Sequence, residues 1–150
     1  MTTNEMVKVY VEQLCTEIGT TGAAIYNANT KAWYFTRGSA KLEVFLTSYE
    51  TVTKTIRTFV RVFCPIYALP ADKQKQLDLY TGALEANTQY MGVKISSIPA
   101  NGFLYAVAER DIEGMDYNEF TTLISDLGYW ADQLDNFLAE RFGAPQTSLN

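Results

Sequence analysis

The chain has 150 residues, 47% hydrophobic and 19% charged, enough for one domain that buries a core without disulfide or metal staples. Its net charge of −5, with no cluster of Lys and Arg, sets it against phosphate backbones, so nucleic acid is not an expected partner. There is no histidine, which removes Ser-His-Asp and Cys-His nucleophile pairs, and Cys15 and Cys64 lie in apolar patterns that read as buried thiols.

In chain order, residues 2–18 form the first expected helix. Val7, Tyr10, Val11, Leu14, Cys15 and Ile18 make its stripe, Thr2 with Glu5 fits a capping box, and Gly19 is a stop. The polar residues 1–4 lack the layout of a secretory signal. No apolar run approaches the ~20 residues of a membrane span, so a cytoplasmic location and no membrane partner are expected. Residues 23–26 read as a short strand or lead-in, and 27–30 as a turn. Residues 31–37 are rich in aromatics, Gly38-Ser39 is a turn signal, and 40–49 alternates, with Leu42, Val44 and Leu46 facing one way and Glu43, Phe45, Thr47 and Tyr49 the other. The stretch 53–66 is the longest strand candidate. Ile56, Val60, Val62 and Cys64 line one of its faces, and Arg57, Phe59, Arg61 and Phe63 the opposite one. Short connections make these strands an antiparallel meander, closed by Pro65 and Pro70.

A second helix is expected over 71–90, with Leu77, Tyr80, Leu84 and Asn87 as its inward stripe and Gly82 as a weakening residue. Strands at 93–98 and 103–110 form a hairpin around Pro99-Ala100-Asn101-Gly102. The last helix, 116–142, is the longest. Phe120, Leu123, Ile124, Leu127, Ala131, Leu134 and Leu138 fall on one face, while Asp126, Asp132, Gln133, Asn136 and Glu140 meet water. Asp116 with Glu119 fits a capping box, and Gly143 then Pro145 end the helix. The order α-β-β-β-α-β-β-α predicts a two-layer α+β fold with a five-stranded antiparallel sheet packed by helices. It forms one domain, 1–143, followed by a disordered tail, 144–150.

A helical layer covers one face of such a sheet, yet large apolar groups alternate onto both. The second face is then either an exposed patch of the kind that marks interaction sites, or a set of aromatics scattered or covered by loops. The residues singled out for partner or dimer contact are Phe45, Phe59, Phe63, Trp33 and Tyr105. No set of residues converges for catalysis, no Gly-rich loop cradles a phosphate, and neither cofactor nor metal is expected. The acidic run Glu109, Asp111, Glu113, Asp116, Glu119 has Gly114 at the wrong place for a calcium loop and reads as a solvated loop plus helix cap. Trp130, like Trp33, reads as a core or interface aromatic, and Asn87 as a helix-end residue.

Several stretches taken together resemble a known family. They are Trp33-x-Phe35, Leu69-Pro70-Ala71-Asp72-Lys73, Glu85-Ala86-Asn87, the hairpin 92–110, the segment Glu109-Arg110-Asp111-Ile112-Glu113-Gly114-Met115, Phe120, Ala131-Asp132 and Phe137. Across residues 32–142 this pattern resembles the YbjN family of bacterial sensory transduction regulators, itself similar in fold to class I type III secretion chaperones. The resemblance implies an acidic, cytoplasmic homodimer that works by binding another protein, or an unfolded segment of one, in apolar grooves and by strand addition. The alternative is a small-molecule-sensing domain in which Trp33, Tyr105 and neighbouring aromatics line a pocket. An enzyme ranks last.

Overall fold

Alternation in the middle of the chain builds the sheet on which everything else is laid. In the computed structural model, which describes residues 3–144, β1 (Tyr26–Asn27), β2 (Ala32–Arg37), β3 (Ala40–Glu50), β4 (Ile56–Ala68), β5 (Lys94–Ile98) and β6 (Phe103–Asp111) form one antiparallel sheet. Its order is β1-β2-β3-β4-β6-β5, which puts β4 at the centre. Gly38, at φ +59°, takes the first place of the two-residue β2–β3 turn, where a type II′ turn needs positive φ. The four-residue turn between β5 and β6 closes on Gly102 at φ +76°.

Four helices accompany the sheet: α1 (Thr3–Ile18), α2 (Gly22–Ile25), α3 (Lys73–Ala86) and α4 (Tyr117–Phe142). The fold is therefore the expected two-layer α+β arrangement, with six strands rather than five. The extra strand comes from 23–26, where Thr21 accepts a hydrogen bond from the Ala24 amide and caps the single-turn α2, leaving only Tyr26 and Asn27 to pair with β2. Pro65 does not close the meander, since β4 continues to Ala68. The register shifts between Pro65 and Tyr67, and such an irregularity is where a strand tolerates a residue without an amide donor. Thr2, Pro145 and the remainder of the expected tail lie outside the described residues.

One core joins α1, α3 and α4 to a single face of the sheet. Val7, Val11 and Cys15 meet Val44, Val60, Val62 and Cys64, and Phe120, Leu127, Leu134 and Leu138 of α4 lie against the same layer. Ile18 and Ile56, placed by spacing on core faces, are exposed at the ends of their elements. The α4 start is the expected capping box: Glu119 donates its amide to Asp116 Oδ1 at 2.8 Å, and Asp116 donates its own to Glu119 Oε2 at 3.0 Å. Arg37, at the end of β2, lies across Gly128 and donates to Ser125 Oγ and to its carbonyl, and so ties the sheet edge to α4.

The expected stripe of α3 holds for Tyr80, which packs on the core, and for Asn87, which reaches Ile95, but not for its two leucines. Leu79, Gly82, Ala83 and Ala86 are buried, whereas Leu77 is 57% and Leu84 69% exposed. The reason is close approach. A Cβ on Gly82 would stand 2.6 Å from Phe142, so the small side brings the helix against the end of α4, and the leucines are left outward. Gly82 is thus a packing notch.

Two substitutions grade these contributions. Leu134, on the buried face of α4, should lose about 2–5 kcal/mol when replaced by alanine. Asp116→Ala should lose about 0.5–2 kcal/mol through the cap alone. Urea denaturation of the two variants checks the order, and a cap variant as damaging as the core variant would contradict it.

Candidate protein-binding face

The odd-numbered side chains of β3, of β4 as far as its register shift at Pro65, and of β6 project away from the helices. Register brings them together: Phe45 lies opposite Arg61, Glu43 opposite Phe63, and Phe63 opposite Val107 on the far side. Phe63, Tyr105 and Val107 form a second buried cluster, with Phe45, Ile98 and Phe103 packed against it, and none of the described helices contributes a residue. The Phe63 ring centroid is 5.1 Å from that of Phe45 and 6.1 Å from that of Tyr105, and the Tyr49 and Phe59 rings stand 6.0 Å apart further along. Asn101 donates to the Tyr105 hydroxyl at 3.1 Å and fixes that ring.

Arginines interleave with the aromatics along β4. The Arg61 guanidinium carbon stands 4.8 Å from the Phe63 ring centre and 5.6 Å from that of Phe45, and that of Arg57 is 5.7 Å from Phe59, all within cation–π range. Their partners are the carboxylates of β6. Arg61 donates through Nε to Glu109 at 2.8 Å, Lys94 donates to the other Glu109 oxygen, and Arg57 donates to Asp111 through Nε at 2.7 Å and through Nη2. The Lys94 hydrogen bond, then that of Arg61, holds the Glu109 carboxyl below the usual carboxylate range. The Glu113 amide, then Arg57, does the same for Asp111.

Of the five residues singled out, Phe45, Phe59, Phe63 and Tyr105 share this open face. Trp33 does not. It pairs with Val44, belongs to the helix-side core, and meets Tyr26 at 5.3 Å beside an open groove lined by Lys8, Glu12 and Gly22. Trp33 and Tyr105 are thus on opposite sides of the sheet and cannot line one pocket, which removes the geometry of the ligand-sensing alternative. The acidic run is also dispersed. Glu109 and Asp111 join the ion pairs, Glu119 pairs with Arg110 and caps α4 with Asp116, and no group of three His, Cys, Asp or Glu side chains gathers among the described residues. Trp130 is half-buried against Tyr90 at 5.3 Å. Burial raises the thiols of Cys15 and Cys64, the latter to about 11.

The sheet edges differ from each other. Asn87 ends α3 and turns its amide onto the outer edge of β5, accepting from the Ile95 amide at 2.6 Å and donating to the Ile95 carbonyl at 3.2 Å. A side chain thus occupies the place of a pairing strand. On the opposite edge β1 reaches only Ala32 and Trp33, and residues 34–37 of β2 have no outer strand partner among the described residues. Sequence reasoning placed the aromatics but missed the ion-paired row between them. The alternation Arg57-Phe59-Arg61-Phe63 carried that signal.

In fold, the two-layer arrangement is similar to chains of two solved protein complexes. A chain of the solved HopA1-SchA chaperone-effector complex superposes with a TM-score of 0.60 at 11% identity, over 89% of this chain and 95% of that one. A chain of the ExsC-ExsE complex superposes with a TM-score of 0.62 at 10% identity, over 99% of this chain and 100% of that one. No family model and no curated protein matches by sequence.

The depressed Glu109 carboxyl gives a signed pH effect. Its folded pKa lies below its unfolded one, so its ion pairs stabilise the fold above the ordinary carboxylate range, and that contribution is lost as pH falls through the folded value. The stability difference between wild type and Glu109→Gln should be largest near neutrality and shrink below about pH 4.3, the ordinary glutamate value. Denaturation across that range measures it, and a difference unchanged at low pH would contradict the assignment.

Proposed function

We propose that this chain is a non-catalytic, cytoplasmic protein-binding module of the secretion-chaperone kind, acting as a homodimer and holding an apolar segment of another protein on its open sheet face. The observation that carries this reading is the second apolar cluster, Phe63, Tyr105 and Val107 with Phe45, Ile98 and Phe103, on a face to which no described helix contributes. A sheet that needed only to be stable would alternate to polar residues there. The fold likeness to a chain of a chaperone–effector complex supports the same reading. The regulator role implied by the YbjN resemblance would use the same surface, since a regulator without chemistry acts by holding a partner. Support for the homodimer comes from the outward leucines of α3, Leu77 and Leu84, one helix stripe left in solvent beside an apolar groove lined by Tyr80, Ala83 and Ile95.

Light scattering coupled to size exclusion should give twice the 16.9 kDa of one chain, and Leu84→Glu should return the monomer. Used as bait in a bacterial lysate, the wild type should retain a protein that Phe45→Asp, still folded and dimeric, releases. A monomeric wild type removes the homodimer from the reading, and identical capture by both baits removes the open face.

A further inference from the structure

The charges on the open face are unevenly spent. Two of its three carboxylates are ion-paired: Glu109 takes hydrogen bonds from both Arg61 and Lys94, and Asp111 takes them from Arg57 and from the Glu113 amide, while Glu43 takes one from the Tyr34 hydroxyl. Of the cations, Arg57 and Lys94 are spent in return, and Arg61 only in part. Arg61 gives only Nε to Glu109, and neither of its terminal amino groups donates a hydrogen bond among the described residues. Its guanidinium nonetheless lies over the adjoining rings of Phe45 and Phe63. Counted by strand register, the face carries four cations (Lys41, Arg57, Arg61, Lys94) against three carboxylates (Glu43, Glu109, Asp111), a balance of +1 on a chain whose net charge is −5.

A fixed guanidinium with two unused amino groups is a fork shaped for a carboxylate. Its position beside the aromatic strip dictates where that carboxylate must sit relative to the apolar side chains that cover the strip. A basic segment would meet four like charges, and two of the three carboxylates are already ion-paired. We propose that the segment taken by the open face is amphipathic and acidic, laying apolar side chains along Phe45, Phe63 and Tyr105 and closing a neighbouring Asp or Glu on the free amino groups of Arg61. This rests on the function proposed above and names the chemistry of the partner.

The test uses two synthetic amphipathic peptides of about 18 residues, five helical turns, with the same leucine face and either Glu or Lys along its margins. Calorimetric titration into the full chain should show the Glu peptide bound about tenfold more tightly, the fold-change that one charge-assisted contact supplies. The preference should fall as salt is raised. Arg61→Gln, with its fold checked by circular dichroism, should bind both peptides alike, and Phe45→Ala should weaken both. Equal affinity of the wild type for the two peptides overturns the charge selection and leaves the binding face standing. A preference that survives Arg61→Gln overturns the role of Arg61. If neither peptide binds, the proposal and the function beneath it fall together. If neither binds and Phe45→Asp also halves the molar mass, a second copy holds the face and the proposal fails.

Discussion

Strand β4 is bonded along both edges, to β3 and to β6, and it carries large side chains on both faces. That single constraint orders the rest of the molecule. A strand alternates with a period of two, so Val60, Val62 and Cys64 must face opposite to Phe59, Arg61 and Phe63. The chain offers one helical layer long enough to cover a sheet. It covers the aliphatic side, where α4 runs the length of the core. The aromatic side is left to solve its exposure without helices.

It does so locally. Phe63 is only 9% exposed although no helix lies over it, because Phe45, Tyr105 and the Arg61 guanidinium close around its ring. The arginine stem supplies apolar cover and its head stays in water, while Glu109, itself held by Lys94, fixes the head from the neighbouring strand. The exposed part of the strip is therefore its margin: Phe45, Ile98, Phe103 and Phe59, each half-buried. Partly covered aromatics flanked by charge limit indiscriminate self-association better than bare ones would.

Much of this was legible in the sequence, because strands and long amphipathic helices are set by period. The α4 stripe, its capping box and the two faces of β3 and β4 follow from spacing alone. The failures share a physical cause, which is that period reports a face without saying which side it turns. On α3 two stripes compete, one of leucines and one of Leu79, Gly82, Ala83 and Ala86. Hydrophobicity favours the first, whereas the close approach of Phe142 selects the second. Trp33 looked equivalent to the other aromatics until register paired it with Val44 and put it among the helix contacts. The ion pairs of Arg57 and Arg61 were not legible, since their carboxylate partners are 54 and 48 residues away in the chain.

The two sheet edges carry the same logic into specificity. An unpaired edge strand recruits any extended chain, so a protein that binds segments must leave only the intended edge available. On β5 the Asn87 amide satisfies both backbone groups of Ile95 from the end of α3, which ties helix position to edge closure: the amide reaches the strand only while α3 is seated on its small-residue side. On β2 the outer side beyond Trp33 carries no such cover, yet Arg37 anchors the strand end to α4 through Ser125. One edge is closed by a side chain. The other is open beyond Trp33, with its strand end tied to the helical layer by Arg37.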